Sequence, residues 1–331
     1  MNPGMFSALL DPAIIFFMVG LFAAAVRSNL EIPAQISKFL SLYLLMALGL
    51  KGGMALSVSG IQPEILMGLG IALLMAFLVP AYTYPLLRLR TDGYNAAAVA
   101  ATFGSVSAVT FITAGQFLNN QGVAYGGYMA VALVLMESPA IIMAVALAAH
   151  ARARANSLSG AAPVAGAAKV SMKSVLHEAF TDGGHLLLLG SLVVGTVVGV
   201  KGYEAMKPFT GDIFKGLLAF FLLEMGLLVA RRIREMKGID PFFIGFAFVV
   251  PMLNAVITIG LARWAGLSDG DTLMLAVLAA SASYIVVPAV VRAAIPEANP
   301  GIYFTMALGI TFPFNVLVGI PLYYQFIKYL N

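Results

Sequence analysis

Long apolar runs separated by short clusters of Gly, Pro and charged residues make up most of the chain. The runs predict helical spans at about residues 12–27, 36–57, 63–88, 94–118, 123–149, 183–200, 211–231, 241–264, 271–293 and 301–328. Each is close to the roughly 20 residues an α-helix needs to cross the hydrocarbon core of a bilayer. One long polar connection interrupts the pattern, residues 150–172, rich in Ala, Gly and Ser, and it reads as a flexible linker. A short amphipathic piece around Ser171–Phe180 follows it and is expected at the membrane interface. The chain therefore divides into a five-helix unit (1–149), a cytoplasmic linker with its amphipathic segment (150–182) and a second five-helix unit (183–331).

Composition agrees with a lipid setting. Of the 331 residues 61% are hydrophobic and 10% charged, and the mean hydropathy is +0.95. A soluble domain carries about 25% charged residues, so a cytosolic enzyme, a secreted domain and a disordered chain are excluded. The fold class is all-α polytopic membrane protein with ten transmembrane helices. The net charge of +4 reflects basic cytoplasmic loops rather than nucleic acid as a partner, because 13 of the 19 Lys and Arg residues fall on the odd-numbered connections. That asymmetry puts the odd connections in the cytoplasm and both termini outside. The first eleven residues carry no Lys or Arg, as the start of a cleaved signal peptide would, so the first helix is expected to be retained. Cysteine is absent, which excludes disulfides, thiolate metal sites and cysteine nucleophiles. The three histidines lack metal-ligand spacing and there is no Walker A sequence, so neither a transition-metal site, nor a bound cofactor, nor ATP-driven transport is expected.

An internal repeat is the most informative feature. Gly60-Ile61-Gln62-Pro63 and Gly238-Ile239-Asp240-Pro241 lie 178 residues apart, Asp92-Gly93 and Asp269-Gly270 177, Ser105-Val106-Ser107 and Ser281-Ala282-Ser283 176, and Pro139 and Pro313 174. A near-constant offset over four landmarks marks a duplicated five-helix unit. Because five is odd, the second copy starts on the opposite side of the membrane, which makes the halves inverted repeats, an arrangement characteristic of secondary transporters.

Chemistry concentrates in the fourth and ninth helices. Gly104, Ser105 and Ser107 stand at the centre of one; Ser281, Ser283 and Tyr284 stand at the centre of the other, with Pro288 four residues on. Pro288 lacks a backbone donor and its ring opposes the carbonyl of Tyr284. Both helices are expected to be discontinuous and to cross near mid-membrane, where unwound backbone is tolerated only against protein or water. Each break exposes free N–H groups and the positive end of the following half-helix, which favours an anion. Ser105, Ser107, Ser281 and Ser283 would add neutral hydroxyl donors, and no Arg or Lys lies at either centre. An isolated Ser-x-Ser in a membrane helix is more often a packing or back-bonding element; its recurrence at equivalent points of both halves favours a site. A coupled Na⁺ would prefer oxygen ligands, for which Ser107, Thr110, Ser138, Ser283, Thr311 and Asn315 are the candidates, each of which singly also fits packing or capping. Glu137, beside Ser138-Pro139, and Glu224 are carboxyl groups at membrane depth, functional candidates by default. Glu137 is the stronger coupling candidate because Pro139 loosens its backbone.

At the two serine segments the chain resembles the sodium-dependent bicarbonate transporters of cyanobacteria and their bacterial relatives. The resemblance is densest in Gly104-Ser105-Val106-Ser107 and in Ala280 to Pro300, with Pro288, Arg292, Ile295-Pro296 and Ala298-Asn299-Pro300 in the family's order. It implies a multi-pass protein of the bacterial inner membrane, a core domain moving against a gate domain, and a homotrimer. Bicarbonate would lie between the two broken helices with Na⁺ beside it, contacted by Gly104, Ser105, Ser107, Ser281 and Ser283. A small trimeric nucleotide-sensing protein of the PII type is the family's cytoplasmic partner, and the linker here is short for it. The sequence departs from the family where Tyr284 replaces an aspartate and Val287-Pro288-Ala289-Val290 replaces a Gly-Pro-Pro-Thr stretch. Sodium-coupled bicarbonate import is the leading expectation. A carrier of another small monocarboxylate, proton-coupled through Glu137, and an uncoupled anion channel or sensor are the alternatives.

Overall fold

A computed structural model describes residues 10–60, 62–159, 181–235 and 238–330. Among them every regular element is helical: α1 (Pro12–Ala25), α2 (Ala34–Ser59), α3 (Pro63–Leu87), α4 (Gly93–Gly104), α5 (Ala108–Asn120), α6 (Met129–Ser159), α7 (Gly183–Lys207), α8 (Phe214–Glu235), α9 (Pro241–Trp264), α10 (Asp269–Ala280), α11 (Val286–Ala294) and α12 (Pro300–Tyr329). The helices start where local chemistry dictates. Proline occupies the first turn of α1, α3, α9 and α12, where its missing N–H costs nothing. Asp11, Asp240 and Asn299 accept from the N–H groups of Ala13, Phe242 and Gly301 at 2.8, 2.8 and 2.9 Å. Asp92 caps α4 by accepting from Tyr94 and Asn95. Burial raises the Asp92 carboxyl, but the Asn95 and Tyr94 bonds outweigh it and hold the group below the usual carboxylate range. In the second half Ser268 is the cap, so Asp269 is the first helical residue rather than the counterpart of Asp92. Asp269 is free to pair with Arg263 at 3.0 Å and Lys328 at 2.8 Å.

Among the described residues seven helical stretches are long and apolar enough to cross a membrane, and α1, with 14 residues, is a shorter apolar helix. The count is below ten for identifiable reasons. Residues 281–285 divide the expected ninth span into α10 and α11. The stretch Gly183–Arg234 is 52 residues long, about 78 Å if straight at 1.5 Å per residue. It does not run straight, because Gly199 takes φ 58° and ψ −153° and the chain turns back there. Gly199 lies by Ser57, whereas the Phe209 carbonyl accepts from the Tyr43 hydroxyl, several turns earlier in α2.

Two further expectations are corrected. The linker reading began at residue 150, yet α6 continues to Ser159, since the Ala- and Arg-rich run there has high helix propensity. The amphipathic segment Ser171–Phe180 lies outside the described residues. Pro139, expected to loosen the backbone beside Glu137, does not break its helix: α6 runs through it. Pro313 is accommodated differently, with π-helical turns at Thr305–Thr311 and Asn315–Gly319 on either side.

Glycines set the two most extensive helix pairings, α2 with α7 and α1 with α8. Gly49 lies against Leu188 and Gly53 against Leu192, so α2 and α7 run in the same direction. Gly20 lies against Leu223, and Ala23 and Ala24 cluster with Leu227 and Ala230, so α1 and α8 do too. A Cβ on Gly53 would sit 2.0 Å from the Leu192 carbonyl oxygen, and one on Gly226 2.2 Å from that of Phe17. Such backbone contact is how small residues drive association in lipid, where burial of apolar surface supplies little force.

Candidate functional site

The fourth span ends its first half at Gly104 and resumes at Ala108. Gly104 is required by its neighbour, since a Cβ there would lie 2.1 Å from the Pro80 ring on α3. Ser105 and Ser107 are extended, and Ser107 caps α5 by accepting from the Thr110 N–H at 3.2 Å and the Thr110 hydroxyl at 2.9 Å. In the second half α10 ends at Ala280 and α11 begins at Val286. Pro288 sits in the first turn of α11, and the Ser283 hydroxyl accepts from the Val287 N–H at 3.3 Å.

The two breaks lie directly against each other. The Ser107 N–H donates to the Ser281 hydroxyl at 2.9 Å, and the Ser283 N–H to the Thr102 carbonyl at 2.9 Å. Ser281 in turn donates to the Leu278 carbonyl at 2.8 Å. Side chains from outside satisfy the last carbonyls of α10: Asn254 donates to Ala279 at 2.9 Å and Asn315 to Ala280 at 2.8 Å. Tyr82 and Tyr323 hold the two amides by donating to their oxygens at 2.5 and 3.0 Å.

What remains unsatisfied defines the chemistry. The N–H groups of Ala108 and Val109, in the first turn of α5, have no intrahelical acceptor. Ser105 is 1% exposed and its hydroxyl has no hydrogen-bond partner among the described residues; Tyr284, 7% exposed, places its buried hydroxyl next to Ser107. Ser107, whose oxygen already accepts from Thr110, keeps its own proton to donate. A buried cluster of neutral donors at a half-helix N-terminus attracts an anion. Above it, a cavity of about 420 Å³ opens between α1, α5, α8 and α12, lined by Ile14, Thr113, Leu222 and Val316 among others. One turn further along these helices Phe17 packs edge-on against Phe312 with centroids 5.8 Å apart, and Phe312 against Tyr284 at 5.5 Å. The three rings form a continuous aromatic contact from α1 through α12 to the second break.

Of the residues singled out from the sequence, Gly104, Ser105, Ser107, Thr110, Ser281, Ser283, Tyr284 and Asn315 gather at the breaks. Thr311 is a turn away on α12 and donates to the Ala247 carbonyl at 2.8 Å. Ser138 is half-buried on α6 beside Glu137, and among the described residues no hydrogen bond ties it to the breaks. Glu137 is buried and its partner is His185 of α7, a residue to which the sequence gave no role. Asn254 was missed. The signal was a lone amide in an apolar span, which must find a partner at membrane depth.

The sequence profile of the Na⁺-dependent bicarbonate transporter superfamily matches residues 12–328, nearly the whole chain. The chain belongs to that superfamily. A search of curated proteins returns no significant match. Membership in a superfamily of Na⁺-dependent bicarbonate transporters makes this a multi-pass transport protein of a membrane, with an anion as the solute its neutral donor cluster suits.

Proposed function

We propose that the protein is a secondary transporter that imports bicarbonate with Na⁺, the anion lying between the half-helix N-termini of α5 and α11. The observation that carries this reading is the contact of the two broken segments through Ser107 and Ser281, with the buried hydroxyls of Ser105, which has no partner among the described residues, and Tyr284 beside it. Ten spans in two inverted sets of five are supported by the same-direction pairings of α1 with α8 and α2 with α7. A five-helix inversion makes the first helix parallel to the seventh span and the second to the sixth, and each pair is the image of the other. In this arrangement α1, α2, α7 and α8 form a gate domain, the broken helices and their neighbours form the core, both termini face outside, and three copies assemble in a bacterial inner membrane. The linker side offers the surface for a PII-type regulator. Na⁺ is carried as cargo, and the oxygens near the breaks, those of Ser107, Thr110, Ser283, Thr311 and Asn315, are candidate ligands along its path. One Na⁺ with one bicarbonate moves no net charge, so the sodium gradient drives uptake and voltage does not.

The test is uptake of labelled bicarbonate into proteoliposomes with and without an inward Na⁺ gradient. Uptake that requires Na⁺ supports the reading. Uptake only of another monocarboxylate, driven by a proton gradient, would move the protein to the alternative in which Glu137 carries the proton. Flux that follows voltage and ignores Na⁺ would make it a channel.

A further inference from the structure

Glu224 is a carboxyl group at the middle of α8 that no part of the site described above uses. It is 7% exposed, and its Oε2 is buried without a hydrogen-bond partner. Ser37 of α2 stands beside it, and the Tyr284 hydroxyl, next to Ser107, lies within its electrostatic reach. No Lys, Arg or His is paired with it among the described residues, whereas Glu137 has His185. An isolated buried carboxylate costs several kcal/mol unless a cation or a proton joins it. Its place makes that cost functional: through Tyr284 it adjoins the donors around Ser105 and Ser107. A bare negative charge there repels an anion, and a cation on Glu224 removes the repulsion.

We propose that Glu224, with the Ser37 hydroxyl beside it, forms a Na⁺ site at the seam between α8 and α2, near the α10–α11 break, and that Na⁺ at this site is what permits anion binding. This rests on the transport reading above and names its coupling residue. Glu224 acts on the anion through charge, so cation occupancy and anion affinity rise together, as reciprocal linkage requires.

The experiment measures ²²Na⁺ binding to the purified full-length protein in detergent, and Na⁺-dependent bicarbonate uptake in proteoliposomes, for wild type, Glu224→Gln and Glu64→Gln. Glu64 is exposed in the first turn of α3 and serves as the control carboxylate. We expect Glu224→Gln to lose about tenfold or more in Na⁺ affinity, within the usual range of coupling. Its bicarbonate uptake should respond less than about twofold to Na⁺, and Glu64→Gln should match wild type. If Glu224→Gln does not elute as a folded protein on gel filtration, Glu224→Asp, with the charge drawn back by one methylene, should bind Na⁺ more weakly than wild type. Wild-type Na⁺ affinity in the variant measured overturns the proposal, as does a wild-type protein that binds no ²²Na⁺ or whose uptake follows a proton gradient alone. The readings fail separately. Na⁺-coupled uptake of a different anion that is lost in Glu224→Gln sinks bicarbonate and keeps this site, whereas bicarbonate uptake with unchanged Na⁺ dependence in Glu224→Gln sinks the site alone.

Discussion

The backbone N–H of Ser107 donates to the hydroxyl of Ser281 across 2.9 Å, joining residues 174 positions apart. Ser281 passes the chain of bonds on to Leu278, so both sides of its hydroxyl are engaged, whereas the Ser105 hydroxyl is engaged by nothing. The two serines should therefore respond differently to alanine. Ser281→Ala strands a buried N–H and should cost about 1–3 kcal/mol of stability, read as a lower Tm. Ser105→Ala should leave Tm unchanged and weaken bicarbonate binding by about 1.5–3 kcal/mol, the usual contribution of a hydrogen bond to an ion. A reversed pattern would mean that Ser281 faces the solute and Ser105 does not.

The aromatic layer of Phe17, Phe312 and Tyr284 makes a second prediction, for which a chain without cysteine is a convenient background. A thiol introduced by Thr113→Cys lines the cavity and should react quickly with a water-soluble maleimide. Ser107→Cys, at a position 4% exposed, should react slowly. Adding Phe312→Ala should accelerate labelling of the Ser107→Cys protein by about tenfold, since Phe/Trp→Ala leaves a void worth about 3–5 kcal/mol of packing. Equal rates with and without Phe312 would remove the rings from the path.

Close backbone approach makes the helix crossings intolerant of side chains. Gly53→Val and Gly226→Val should each destabilise by about 1–3 kcal/mol or more, because carbonyl oxygens of the partner helix occupy the space a Cβ needs. Gly216→Ala is the contrast: it has open space around it and should leave Tm within about 0.5 kcal/mol of wild type. Thermal unfolding in one detergent decides the comparison.

Arg152 clasps Glu297 with two bonds, at 3.0 and 2.9 Å, and also reaches the Ala294 carbonyl at 2.8 Å. The Arg152 bond holds the Glu297 carboxyl below its ordinary value, against a smaller opposing effect of burial. A group whose pKa is depressed by folding stabilises the protein above its unfolded pKa and loses that contribution as pH falls through the folded one. The pair is partly exposed, so its contribution is about 0.2–1 kcal/mol. Glu297→Gln should accordingly lower Tm at neutral pH, and the difference from wild type should disappear in acid below the ordinary carboxylate range.

Much of this architecture is legible in the chain. Pro12, Pro63 and Pro241 mark true helix starts, because proline at the first turn and an extended residue before it leave little choice. Both breaks fall where small polar residues interrupt apolar runs. Other features depend on partners far away in sequence. Nothing near His185 shows that it meets Glu137, and nothing near Asn254 shows that it caps Ala279. The turn at Gly199 falls where the sixth span is expected to end, at residue 200, because Lys201, Gly202 and Glu204 follow it. The end of α6 was misjudged because Ala and Ser are read as linker residues although alanine is the strongest helix former. Glu224 could be found from sequence as a buried carboxyl, but only the fold shows that no cationic side chain pairs with it among the described residues.

The glycine crossings of α1 with α8 and α2 with α7 have a mechanical consequence. Where main chains touch with no side chains between them, neither helix of a pair can slide or roll without colliding with its mate, so each couple behaves as a stiff plank. Compliance is left to the seams bridged by replaceable polar links, such as Lys51 to Asn119, Asp11 to Asn120 and Glu137 to His185. A swing of the planks would shear those links and leave the knuckles intact.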